Sequence, residues 1–149
     1  MSAPEGSTVS FRRVPPKDVR PRAIQQFAQK LRNKVARGAA FDCLLTGDSE
    51  LRQLNSRYRG KDCPTDVLSF PSGAFGSLGD IAISLQRART QAREFGHSTE
   101  TEVRILMLHG LLHLMGMDHE TDGGRMARAE KRWRTRLELP GGLIERVRA

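Results

Sequence analysis

Three of the four histidines fall in one short run, His109-Gly110-Leu111-Leu112-His113-Leu114-Met115-Gly116-Met117-Asp118-His119. His109 and His113 are four apart, so on a helix their imidazoles project from one face, about one turn apart. Gly116 permits the left-handed turn that ends a helix, after which the chain can bring His119 back toward the same point. Three neutral imidazoles converging this way make a tetrahedral zinc site with one open position, the arrangement of a catalytic centre rather than a structural one. The run therefore points to a zinc hydrolase holding one Zn²⁺ per chain. Nickel, copper and iron also accept imidazole, so the preference for zinc is chemical and not absolute.

The spacing matches the long zinc signature of metzincin proteases, with one departure. Where those proteases carry the glutamate that serves as general base, this chain has Gly110. Glycine offers no side-chain proton acceptor, so a peptidase mechanism lacks its base. The fourth histidine, His97, follows Gly96 just before a predicted helix and is expected to be an exposed loop residue.

Positioning these groups requires a scaffold, and the apolar pattern supplies one. Residues 9–14 alternate weakly and suggest an opening strand before Pro15 and Pro16. Ile24, Phe27, Ala28, Leu31 and Val35 form a helical stripe over about 21–37, closed by Gly38. Phe41 to Thr46 reads as a strand, and Asp48 as the N-cap of a helix carrying Leu51, Leu54 and Tyr58. After a polar loop, Val67-Leu68-Ser69-Phe70 and Asp80-Ile81-Ala82-Ile83-Ser84 read as strands. Leu85 to Phe95 is helical and stops at Gly96. Thr99 with Glu102 suggests a capping box for the next helix, which runs to about Met115 and carries the first two histidines. That helix is apolar around most of its circumference, which places it in the middle of the fold. Met107, Met115 and Met117 are then core filler. A last helix from about Gly124 to Leu137 presents Met126, Trp133 and Leu137 inward. The order β-α-β-α-β-β-α-α-α predicts an α+β domain, a small mixed β-sheet packed with helices around a central metal-binding helix.

Length and charge bound the function further. At 149 residues, one domain spanning 1–149 is expected, with enough chain to bury a core. The N-terminus shows no secretory h-region, and no apolar run approaches the ~20 residues of a membrane span, so a cytoplasmic protein is expected. Cys43 and Cys63 suit reduced thiols rather than a disulfide framework. A net charge of +8 favours polyanionic partners such as nucleic acid. The C-terminal arginines are mixed with Glu130, Glu138 and Glu145, which resembles a solvated helix face as much as a binding patch. One Trp and one Tyr provide no platform for stacking successive bases, so any RNA binding should rest on backbone charge.

Three further motifs accompany the histidine run. They are Leu54-Asn55-Ser56-Arg57-Tyr58-Arg59-Gly60-Lys61-Asp62, then Pro64-Thr65-Asp66-Val67-Leu68-Ser69-Phe70-Pro71, then Leu78-Gly79-Asp80-Ile81 with Ile83-Ser84. Together, from about Asp42 to Leu137, they resemble the YbeY family of bacterial zinc-dependent endoribonucleases. The resemblance implies zinc ligation by His109, His113 and His119, and a catalytic arginine, Arg59, beside the metal. A guanidinium there could hold phosphate oxygens bidentately and offset charge that builds during phosphodiester cleavage. Lys61 could add to that phosphate site. Asp66 and Asp80 read as turn and strand-end residues, and either carboxylate could instead orient a ligand histidine. Met117 departs mildly from the bulky or aromatic residue frequent there in the family.

The function implied is cleavage of single-stranded RNA, in maturation of the 3′ end of small-subunit ribosomal RNA and in ribosome quality control. The nucleophile, water or the RNA 2′-hydroxyl, stays open, and no residue stands out as general base. The resemblance also implies contacts with the small ribosomal subunit and an assembly GTPase, and no membrane. Two other readings compete. One is a ribosome-assembly or RNA-binding factor whose zinc organises a surface with little catalysis. The other is a metzincin-like peptidase, which Gly110 opposes.

Overall fold

The computed structural model describes residues 7–62, 65–73, 76–118 and 121–140. Alternating side chains build a mixed four-stranded sheet from β1 (Thr8–Phe11), β2 (Ala40–Thr46), β3 (Val67–Pro71) and β4 (Ser77–Ser84), ordered β1-β2-β4-β3. The pairs β1/β2 and β2/β4 are parallel, and β3 closes one edge antiparallel to β4. The period of two sends Phe41, Cys43, Leu45, Ile81 and Ile83 to one face, where the main core lies. Leu68 and Ala82 point to the other face and form a smaller cluster with Leu51.

Among the described residues five helices complete the fold: α1 (Pro21–Lys34), α2 (Asp48–Arg59), α3 (Leu85–Phe95), α4 (Thr99–Leu114) and α5 (Arg125–Arg136). The predicted element order is observed. Helix α4 is buried along nearly its whole length, including Leu106, Met107, Leu108, Leu111 and Leu112, as its all-round apolar sequence requires. It packs on the main-core face of β3 and β4, with α1, α3 and α5 against it, while α2 covers part of the opposite face. Among the described residues no helix is long and apolar enough to cross a membrane. Cys43 is a buried thiol, pushed well above its ordinary pKa by burial and then by the Asp42 charge; Cys63 lies outside the described residues.

Three local expectations are corrected. Asp48 is the first helical residue, not the cap: Gly47 holds the N-cap position, and Asp48 accepts a 2.5 Å hydrogen bond from the Ser84 hydroxyl. At α4 the N-cap is Ser98, whose hydroxyl accepts from the Thr101 amide at 3.1 Å, while the Thr99 amide donates to Asp18. Glu102 therefore has no capping-box role. It is fully buried, and a buried carboxylate needs a hydrogen-bonding partner. His97 provides one, its Nε2 lying 2.6 Å from Glu102 Oε1, so His97 is half-buried rather than an exposed loop residue.

Gly79 shows why one motif demands its glycine. Its φ of +136° is reached readily only without a side chain, and an added Cβ would lie 2.2 Å from the Phe70 carbonyl oxygen. That oxygen belongs to β3, whose Pro71 pairs with Gly79. Gly79→Ala is expected to cost at least about 3 kcal/mol in urea unfolding. A change below about 1 kcal/mol would contradict this strand contact.

The α4 entrance carries a charge network with a defined pH response. Glu100 accepts from the Arg20 amide (2.8 Å), Arg20 Nε (3.1 Å), Arg20 Nη2 (2.8 Å) and Arg104 Nη2 (3.0 Å). Hydrogen bonding from Arg20 holds its carboxyl below the ordinary value of 4.5, against the opposing effect of burial. A lowered folded pKa gives stability that is present above pH 4.5 and lost as pH falls toward the folded value. Because Arg20 is largely exposed, about 1 kcal/mol is at stake. The stability difference between wild type and Glu100→Gln should therefore shrink as pH is lowered from 6 through this window. A difference that stays constant with pH would refute the assignment.

Candidate metal centre

The site is built where α4 ends. The Gly116 amide donates to the His113 carbonyl at 2.9 Å, and the Met117 amide to the Leu112 carbonyl at 3.1 Å. These two bonds form a Schellman motif around Gly116, whose φ is +91°, as its place in the sequence predicts. The turn folds the Met117 carbonyl back toward the helix, where its oxygen lies 3.0 Å from His113 Nδ1. A carbonyl can only accept, so His113 carries hydrogen on Nδ1 and its lone pair on Nε2.

His109, one turn earlier, is fixed by a different group. Its Nδ1 lies 2.9 Å from Glu130 Oε2 on α5, with both side chains buried. A carboxylate oxygen accepts from Nδ1–H, so the neutral ring has its lone pair on Nε2 as well. The two ring centroids are 4.8 Å apart with planes at 75°. Two imidazoles offering Nε2 from one helix face, each with Nδ1–H anchored, are a donor set suited to zinc. His119 lies outside the described residues, and among the described residues no group of three potential ligands is assembled.

Glu130 is the residue that sequence reasoning missed. On α5 it shares the inward face with Met126, Ala129, Trp133 and Leu137, so a carboxylate on an apolar stripe was the available signal. Asp66 and Asp80, the two acids that could orient a ligand histidine by sequence, lie elsewhere. Asp66 Oδ2 accepts from Gln91 Nε2 at 3.1 Å. Asp80 sits opposite Asp42 on the sheet face turned away from α4, its carboxyl raised by burial and then by the Asp42 charge. Asp118 accepts from the Thr121 hydroxyl at 3.0 Å; Glu120 lies outside the described residues.

Arg59 stands in the exposed last turn of α2, which ends at Gly60 with φ +68°. Because α2 packs on the sheet face opposite α4, no hydrogen bond or ion pair joins Arg59 to His109 or His113 among the described residues. Lys61 is exposed just beyond it. A cavity of about 920 Å³ opens on that same far face, lined by Arg12, Asp42, Tyr58, Phe70 and Asp80 among others. It contains neither histidine, and the chemistry of the donor atoms, not cavity size, marks the α4 end as the candidate centre.

Gly110 is explained by packing. A Cβ there would meet Ile81 Cγ2 at 2.9 Å and Ser69 Oγ at 3.2 Å, and the Ser69 hydroxyl donates to the Gly110 carbonyl at 2.9 Å. The position faces the sheet, not the side on which the histidine rings meet.

A buried helix bearing two anchored histidines, packed beneath the antiparallel edge of a mixed sheet, defines a small α+β protein organised around one helix end. Comparison with known sequences then identifies the family. The chain belongs to the endoribonuclease YbeY family, whose sequence model matches residues 12–138. It is 65% identical to an endoribonuclease YbeY of Solibacter usitatus over 149 residues, the full length of both chains. The Koribacter versatilis endoribonuclease YbeY is 47% identical over 125 residues, covering 84% of this chain and 82% of that one. A Thermotoga maritima protein solved in solution matches with a TM-score of 0.60 and 27% identity over 85% of each chain.

Proposed function

We propose that the chain is a zinc-dependent endoribonuclease that cleaves single-stranded ribosomal RNA in the cytoplasm during small-subunit maturation and quality control. The observation that carries the metal half is that the Nδ1 atoms of His109 and His113 each lie against an acceptor oxygen, at 2.9 and 3.0 Å, which leaves Nε2 of a neutral ring as the donor atom. His119 would be the third ligand, leaving one position open for substrate. Zinc held there would supply Lewis acidity, polarising a phosphate oxygen or lowering the pKa of water toward ~7.

The RNA half rests on the family and on charge. Relatives of matching length are named endoribonucleases, and a net charge of +8 suits a polyanionic substrate. Arg59 would bind a phosphate of the substrate, as a fork of donors rather than a point charge. A single strand laid across the β3 edge would meet α4 on one side of the sheet and the end of α2 on the other. Contacts with the small ribosomal subunit and an assembly GTPase belong to the same reading.

The test is cleavage of a labelled single-stranded ribosomal RNA fragment by zinc-loaded protein, with metal-stripped protein and Arg59→Glu beside it. Cleavage only by the loaded wild type, restored to the stripped protein by zinc, is expected. Equal cleavage by all three preparations would sink the proposal. Tight binding with no cleavage would favour the assembly factor instead.

A further inference from the structure

We infer that Glu130 is a positioning residue: it sets the tautomer and ring angle of His109 and so couples the docking of α5 to metal affinity. The inference deepens the zinc reading above and rests on it. The geometry is a buried Nδ1···Oε2 pair of 2.9 Å, between side chains only 9% and 4% exposed.

The place of Glu130 on α5 makes a purely packing role unsatisfactory. Its helix neighbours on that face, Met126 and Ala129, are buried and apolar, and an apolar residue at 130 would continue the stripe. A carboxylate there must be desolvated, which is unfavourable unless it accepts strong hydrogen bonds. His109 supplies one, and the bond works both ways. It satisfies the acid, and it holds hydrogen on Nδ1 while the negative charge makes Nε2 a better electron-pair donor.

The two histidines are held unequally. His113 is anchored by the Met117 carbonyl, a product of the turn that ends its own helix. His109 is anchored by a side chain 21 residues along the chain, on a separate helix. The first anchor forms with α4 itself. The second exists only when α5 is seated, so the ring of His109 is set by tertiary structure. Metal binding and α5 docking should therefore reinforce each other.

The experiment uses full-length Glu130→Ala and Glu130→Gln, with three readouts. Zinc affinity is measured by competition with a chromophoric chelator. Imidazole tautomers are read by ¹⁵N NMR of metal-free protein, and thermal unfolding is followed with and without zinc. The alanine variant is expected to bind zinc about 10–100-fold more weakly and to lose the single Nδ1–H tautomer of His109. Glutamine still accepts from Nδ1–H but carries no charge, so it should keep the tautomer with an intermediate affinity. If the alanine variant does not fold, the glutamine variant alone decides, by tautomer and affinity together. Lower thermal stability with zinc affinity within twofold of wild type would overturn the inference, because that is what packing alone predicts. A wild type that binds no zinc would instead overturn the metal reading, while the metal-free tautomer would still test the role of Glu130.

Discussion

Alanine in place of His113 is expected to weaken zinc binding by more than about 100-fold, beyond the loss typical of an outer-sphere change, and to abolish metal-dependent RNA cleavage. The fold should survive. His113 is only half-buried near the end of α4, and the Schellman bonds around Gly116 use backbone atoms that the substitution leaves in place. Stability should then separate the two proteins only when metal is present. A ligand at 100 times its dissociation constant stabilises the native state by about 2.7 kcal/mol. For a domain of this length that is a rise in Tm of roughly 5–10 °C, seen in the wild type and absent from the variant. Zinc titration followed by thermal unfolding checks both. An equal rise in the two proteins would place the metal elsewhere.

How much of this could be read from the chain alone depends on the distance over which each feature is determined. The order of elements and the turn at Gly116 follow from local periodicity and from backbone conformations that only glycine adopts easily. The cap of α4 was misplaced by one residue because Ser98 and Thr99 are both competent caps, and only Asp18, 81 residues away, draws off the Thr99 amide. The burial of His97 is not legible locally, because its partner Glu102 is buried by tertiary packing that no local pattern reports. Glu130 was hidden by the same cause, standing on a helix so rich in charge that a solvated face was the natural reading. Its inward register with Met126 and Trp133 was nonetheless legible. For Arg59 the motif is plain in the sequence, while its place on α2, across the sheet from α4, is set by the fold.

Gly110 was legible as a missing base, but its physical reason was not, and the difference has a consequence. If the glycine were merely a lost catalytic group, Gly110→Glu would restore a peptidase-like signature at little structural cost. The packing predicts the opposite. The first added carbon would already lie 2.9 Å from Ile81 Cγ2, and Ile81 is 1% exposed and β-branched, with little freedom to move aside. Gly110→Ala should therefore destabilise by about 1–2 kcal/mol net, the overpacking outweighing the roughly 1 kcal/mol of helix propensity that alanine gains. Glutamate adds a carboxylate driven into the sheet between Ile81 and Ser69, where its desolvation costs several kcal/mol more. Gly110→Glu is expected to lose at least about 4 kcal/mol or fail to fold, and to gain no peptidase activity. Urea unfolding checks both variants, and an Ile81→Ala partner makes the test specific. Removing Cγ2 should relieve the clash, so Gly110→Ala should cost less in the Ile81→Ala background, by about 0.5–3 kcal/mol of coupling. Additive costs would show that helix and sheet do not meet at this glycine. A stable Gly110→Glu protein would return the position to the catalytic face and reopen the peptidase reading.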